Sequence, residues 1–485
     1  MPFSNSPQYS TYKTERVPLV KDVFLRSTNS YDALYENCTV EILKNKDTKQ
    51  MDMAVVKRQG TTTSISASLI TASFRGMYFW QKKNTLIYVI GNTFYFWDVS
   101  TNISTATSSA ALTTTTGDVG FEEFLYSDGH VTVVWSDGTK LGEISDTFVV
   151  TTSADADLPS PHFPHPVFLD GYIFIVKTGT QDIYNSDNDA PLAWTPSNYI
   201  SAEMSPDSLL RIERMSNYII ALGTESVEYF YDAANAAGSP LGRNDTFYKQ
   251  IRYLGGSVRS GNKVYIIGKY DNGAPDLFLI EDSKVTPVGS QQIQRFLSRI
   301  TDFTTLTASI VTYDSNTLYV FTVAGSTFAY NIGTDFFTNW KYKGTSTFNI
   351  QYSDVAYSTS EINTFMYIPS DNAVVKFALN TFTDSGTSYT MTIRTEQLDF
   401  ETLQMKFMGR LSLFVDNNNA ATINLQWTDD DYQTYSNTYS ITLNQELPSI
   451  RRLGGFRKRA FIFTNTDNQP IRFRGFEVDL NMGNS

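Results

Sequence analysis

Cysteine is almost missing from this chain: Cys38 stands alone among 485 residues. That excludes an internal disulfide and a cysteine-rich zinc site, so folding needs no oxidising compartment. Histidine is nearly as scarce, at His130, His162 and His165. The last two share PHFPHP (161–166), whose prolines force extended backbone and splay the rings, with no third ligand near; no metal is expected. Long apolar runs are lacking too. YIIAL (218–222) is typical of the longest, far below the roughly 18 residues of a membrane helix. The opening MPFSNSPQYSTYKTERVPL has neither the basic nor the apolar region of a signal peptide. A chain made and folded in a reducing cytoplasm, without membrane insertion, is the expectation.

Basic charge is in deficit. Lys and Arg number 38 against 50 Asp and Glu, a formal charge of −12. Affinity for nucleic acid comes largely from neutralised phosphates, so a DNA wrapper is disfavoured, as is a polybasic membrane binder. Catalytic signatures are lacking as well: no G-x-S-x-G elbow, no H-E-x-x-H and no G-x-x-x-x-G-K phosphate loop. The acidic clusters NSDNDAP (185–191) and TDDDYQTY (428–435) raise the paired carboxylates of glycosidases. In the second, Thr428, Asp430, Thr434 and Tyr435 have the spacing of the Asp-box turn of sialidase-like propellers, with Tyr432 in place of its glycine. That turn is structural where it occurs, and no arginine triad suited to a sialic-acid carboxylate accompanies it. No catalytic residue and no cofactor is expected.

Strand formers fill the space. The chain has 33 Phe, 29 Tyr and many Thr, residues that suit pleated, half-buried surfaces, and an all-β fold is the first inference. Paired-strand signals recur at NTLIYVIGNTFYFWDV (84–99), HVTVVWSDGTKLGEI (130–144), GYIFIVKTGTQDIYNS (171–186), NYIIALGTESVEYFY (217–231) and NKVYIIGKYDNGAPDLFLI (262–280). Two more follow at NTLYVFTVAGSTFAYNI (316–332) and NTFMYIPSDNAVVKFAL (363–379). Their turns carry Gly, Asn or Asp where the backbone reverses, as at Gly91-Asn92 and Asp137-Gly138. A period of about 40 to 50 residues is that of four-stranded blades, and radial blades bury both faces of each small sheet.

The pattern predicts a β-propeller-like body of six or seven blades over 55–385. Before it, residues 1–54 read as an extended N-terminal arm. After it, longer alternating strands such as GRLSLFVDN and RKRAFIFTNTD predict a C-terminal β-sandwich over 386–485. A string of β-sandwiches with regular hairpins is the other architecture the pattern allows. Helix signals are few; the best is SQQIQRFLSRI (290–300), where Ser290 can cap and Ile293, Phe296, Leu297 and Ile300 form a stripe. It reads as a connector packed on the body.

The strongest basic excess is SIRRLGGFRKRAF (449–461), with Arg472 and Arg474 close behind. On a strand, Arg457 and Arg459 would share one face and Lys458 the other. The run is either a solvated, salt-bridged sandwich face or a docking surface for an acidic protein partner or phosphate. Arg451, Arg452, Arg457, Lys458 and Arg459, with Arg16 and Lys21 of the arm, are the candidate interface residues.

SDNDAPLAWTPSNYISAEMSPDSLLRIERMSNYIIALGTESVEYFY (186–231) resembles the tail-nozzle, or packaged-DNA stabilization, proteins of short-tailed bacteriophages. The likeness rests on Ser186-Asp187, Ala202-Glu203, Pro206-Asp207, a strand pair and Glu228 to Phe230. RVPLV (16–20) and KRQG (57–60) look like that family's N-terminal arm, and RRLGGFRKRAFIF followed by IRFRGFEVDL looks like its closing strands. The helix with Gln291 and Gln292 matches in part. The order of these elements agrees along nearly the whole chain. The resemblance implies a non-enzymatic virion tail component, built in the host bacterial cytoplasm as a homo-hexamer beneath the portal and its adaptor ring. Such a nozzle extends the DNA channel, retains packaged DNA and guides its ejection. It meets a tail plug or needle and fibres or spikes, and double-stranded DNA passes through the lumen without sequence-specific binding. An acidic lumen would let that DNA slide. The rivals are a carbohydrate-binding or glycoside-cleaving propeller and a host scaffold propeller; for the latter, FWDV (96–99) is a single occurrence of the expected dipeptide.

Overall fold

The computed structural model describes residues 13–20, 33–44, 51–106, 112–235, 237–244, 249–282, 284–344, 346–357 and 362–483. The chain divides into two compact units, one of Met1–Thr62, Ser326–Phe348 and Phe377–Ser485, the other of Thr63–Gly325 and Asn349–Lys376.

The second unit is the propeller. Five antiparallel four-stranded blades follow one another, starting with Phe74–Trp80, Gly120–Leu125, Val167–Leu169, Leu209–Met215 and Ile251–Ser260. Two further inner hairpins, Thr307–Tyr313 with Asn316–Val323 and Tyr352–Tyr357 with Ile362–Ile368, continue the series. Neighbouring first strands pack in chain order, and Tyr352–Tyr357 returns to Phe74–Trp80, so the ring closes. The propeller of six or seven blades expected from the sequence is therefore present.

Its core lies between blades, which explains the uninterrupted apolar strands. In Thr85–Ile90 every residue is buried. Ile87 and Val89 face the next blade, with Val133 and Trp135, whereas Leu86, Tyr88 and Ile90 face the last, with Phe365 and Tyr367. Tyr218–Gly223 divides in the same way: Ile219 and Ala221 join the layer of Phe174 and Val176, and Ile220 and Leu222 join that of Val264 and Ile266. Alternation of period two thus serves two apolar neighbours instead of one neighbour and water. The helix forms where expected, at Gln291–Leu297. Ser290 Oγ accepts the Ile293 amide, and Ile293 and Leu297 are buried.

The first unit is a sandwich larger than 386–485. Arg472–Met482 is the middle strand of one sheet, pairing with Lys406–Val415 on one side and with Lys13–Pro18 and Met51–Lys57 on the other. The facing sheet takes Leu34–Glu36 and Phe336–Tyr342 beside Met391–Arg394, Ala460–Asn465 and Thr422–Thr428. The described parts of 1–54 are accordingly strands and not a free arm. The reason is burial: Val17, Val40 and Val55 enter one core with Leu411, Phe463 and Phe476. Short strands with polar outward residues hide this alternation in the sequence.

Candidate docking surface

KRQG is a buried knot of the sandwich. Arg58 is fully buried and grips Asp384 with both terminal nitrogens, at 2.9 and 2.7 Å. It also donates to the Lys341 carbonyl at 2.8 Å and to Asn37 Oδ1 at 3.2 Å, and its guanidinium lies 3.9 Å from the centre of the Tyr389 ring. Lys57 Nζ reaches Asn465 Oδ1 at 2.9 Å and the Asp467 carbonyl at 2.6 Å; burial pushes its ammonium down to about 8 against the pull of Asp467. At Gly60 a Cβ would stand 2.1 Å from the Thr383 carbonyl oxygen, so no side chain fits. Lys57, Arg58 and Gly60 thereby tie distant segments of the sandwich together.

His162, His130 and the acidic cluster at 428–435 also have partners within the fold. His162 is buried between Ser136 Oγ, at 2.7 Å, and the Pro159 carbonyl, at 2.6 Å, and burial lowers its pKa. His130 stacks on Tyr126 beside Asp128. Among the described residues no cluster of His, Cys, Asp and Glu could hold a metal ion. Asp430 closes an Asp-box-like turn, accepting from Thr428 Oγ1 at 2.8 Å and from the amides of Gln433 and Thr434 at 3.1 and 2.9 Å. The hydrogen bonds from Thr434 and Thr428 hold its carboxyl down to about 2. Tyr432 sits at φ +66°, the left-handed region that favours glycine, and donates its hydroxyl to the Thr395 carbonyl at 3.0 Å.

Carboxylates on the propeller's first strands escaped the sequence reading. Glu122 lies 3.9 Å from Arg259 and bonds the Phe168 backbone of the next blade; burial pushes its carboxyl up to about 7. Asp354 accepts the Phe79 amide across the ring closure at 2.6 Å and the Val355 amide at 2.7 Å, and burial raises it to about 6. Glu213 accepts from Ser257 Oγ at 2.8 Å, joining another two blades. These carboxylates staple blade to blade through amides and a hydroxyl. The sequence carries no local signal for them, because each is paired with a group on a neighbouring blade.

The candidate interface residues separate. Arg459 is buried and paired with Asp429 at 2.7 and 2.8 Å, donates to the Leu453 carbonyl at 2.7 Å and lies over Phe456 and Trp427. It holds the fold and offers nothing to a partner. The expected alternation fails because 457 and 458 form a bend, leaving both side chains exposed and turning Arg459 inward. Lys21 lies outside the described residues. Arg16 and Arg451, far apart in sequence, share the outer face of one sheet. Across it run Thr14, Asp479, Arg410 and Arg451 in one row, and Arg16, Glu477 and Ser412 in the next. Arg410 is held by Asp479 at 2.9 Å and Glu477 at 3.7 Å, and Arg16 covers the Phe414 ring at 4.8 Å.

At the edge of this face Phe407 is 52% exposed, flanked by Gly455 of the paired strand. Arg457 donates to the carbonyl of Leu403, itself 59% exposed, at 2.8 Å, and the Arg452 amide donates to the Gly409 carbonyl. Arg451, Arg452, Arg457 and Lys458 are exposed, and among the described residues none has an ion-pair partner. Two exposed large apolar side chains on an edge that carries four cations without ion-pair partners among the described residues make a surface suited to docking.

The architecture is that of a β-propeller protein with a companion sandwich, and no helix among the described residues is long and apolar enough to cross a membrane. A family model described as "Bacteriophage P22 Gp10, beta-propeller" matches residues 16–359, more than half the chain, and the chain belongs to that family. It is thus a structural tail protein of a bacteriophage. No curated protein matches it. Solved structures to which the chain bears a distant likeness include a streptogramin B lyase, 10% identical over 70% of this chain and 98% of that one, with a TM-score of 0.41. Another is a chain of the Mitotic Checkpoint Complex, 11% identical over 70% and 95% of the two chains, TM-score 0.42. An exo-beta-1,3-galactanase from Phanerochaete chrysosporium is 9% identical over 74% and 95%, TM-score 0.26.

Proposed function

We propose that this protein is a tail nozzle: a homo-hexameric ring that extends the DNA channel beneath the portal and its adaptor, retains packaged DNA and guides its ejection. Membership of the phage family carries this reading. The physics agrees with it. A propeller closed by inter-blade cores and carboxylate staples is a stiff wall element, and the net charge of −12 per copy keeps a ring from gripping the phosphates that slide past. Channel-facing loops are accordingly net acidic, and the basic run of the sandwich faces protein neighbours, which include the adaptor, a plug or needle, and fibres or spikes.

The test is the mass of the purified protein, alone and mixed with a candidate adaptor ring, together with negative-stain imaging. Six-fold rings are expected. A monomer that ignores the adaptor and binds or cleaves a polysaccharide would overturn the reading in favour of a carbohydrate-directed propeller.

A further inference from the structure

We infer that the basic, apolar edge of the sandwich in one copy docks on an acidic rim of the propeller in a second copy, a head-to-tail contact. The inference rests on the ring reading above and names the two surfaces that would meet.

The first surface is Leu403 and Phe407 with Arg451, Arg452, Arg457 and Lys458, exposed and without ion-pair partners among the described residues. The second lies where three blades turn. The Asp170-Gly171 turn touches the Asn188-Asp189 turn, the Asp189 amide donating to the Gly171 carbonyl at 2.9 Å. Asp189 in turn accepts the Ser127 amide at 2.8 Å, which brings Asp128 alongside. The charges of Asp187 and Asp232 both act on Tyr172, beside the same turn. Asp128, Asp170, Asp187, Asp189 and Asp232 therefore gather at one rim, where among the described residues the single ion pair is Asp128 with His130. Leu125, 49% exposed, adds apolar surface next to it.

Charge complementarity decides the occupant. Four exposed cationic side chains without ion-pair partners among the described residues meet a chain that carries a net charge of −12, so another copy supplies the opposite sign. A nucleic-acid occupant fits worse, because Glu477 and Asp479 are interleaved with Arg16 and Arg410 on the adjoining face and would lie against phosphates. Two different patches meeting head to tail form a heterologous contact, the kind that closes rings. Phe407 and Leu403 are the apolar anchors and the cations the rim.

The experiment uses the full chain in four forms: wild type, R457E/K458E, D170K/D232K, and the four substitutions combined. Mass photometry and negative-stain imaging are run with and without the adaptor ring, and thermal melting checks that each variant folds. The expected result is rings for wild type, roughly six-fold lower mass for each two-site variant, and rings again for the combined swap. Rings in every variant would overturn the docking surfaces while leaving the nozzle standing. Loss in both two-site variants without rescue would overturn their pairing. A wild type that never assembles would overturn both readings. If a two-site variant fails to melt cooperatively, Phe407→Ser and Leu125→Ser replace it, and retained rings in both would overturn the inference.

Discussion

Arg58 and Asp384 show how one residue pair can hold a unit together. Both side chains are wholly out of water, with their charges satisfied by each other and by surrounding carbonyls. Removing one partner leaves a buried, uncompensated charge, which costs about 3–5 kcal/mol. Asp384→Ala is therefore expected to lower stability by that amount in urea unfolding, with no effect on the propeller's inter-blade contacts. Glu122 and Asp354 make a different point. Their carboxyls sit near 7 and 6 in the folded chain, against ordinary values of 4.5 and 3.8, because burial disfavours the charge. The folded state keeps protons that the unfolded chain releases above about pH 4, so their contribution is fully present below that pH and is lost as pH rises through 6 and 7. Thermal melts between pH 4.5 and 8 should show stability falling across this window, with a smaller slope in Glu122→Gln. An unchanged slope would remove Glu122 as the cause.

At the scale of elements, the strand has two jobs in this protein. In a blade's second strand both faces are apolar, so truncation on either face opens a cavity between blades. Ile220→Ala should cost about 2–5 kcal/mol, read as a shift in the denaturant midpoint, since Ile220 is completely buried between two blades. In the sandwich a strand alternates, with Val17 inward and Arg16 outward. Removing residues 1–20 takes Lys13–Pro18 off the middle strand and exposes its edge and the core beside Val17. A lower melting temperature is expected, along with any effect on assembly. An unaltered melt would mean that the strand adds nothing to the sandwich.

For the whole molecule, net charge and closure matter most. At −12 the chain has little phosphate-neutralising capacity, and its one basic edge is assigned to protein contacts. Assembled protein should bind duplex DNA no more tightly than about 10⁻⁴ M at physiological salt, the weak end of non-specific binding. Filter binding across a salt series checks this, and a steep salt slope would point to a cationic lumen.

Much of the architecture was readable before any coordinates. All seven predicted hairpins exist as paired strands, from Thr85–Asp98 to Ile362–Ala378, because glycine, asparagine and aspartate turns between apolar runs are local signals. The capped helix and the Asp-box-like turn were readable for the same reason, each being closed by side chains a few residues apart. Composition likewise sufficed to expect an all-β chain, because aromatic and β-branched residues suit pleated strands. Tertiary structure alone decided which segments share a core. It drew Lys13–Pro18, Leu34–Glu36, Cys38–Lys44, Met51–Lys57 and Phe336–Tyr342 into the sandwich, paired Arg58 with Asp384 across 326 residues, and turned Arg459 inward while leaving Arg457 and Lys458 out. Those outcomes depend on pairings between distant strands and on burial, which a sequence of short, half-polar strands does not spell out. Turns are local and cores are not.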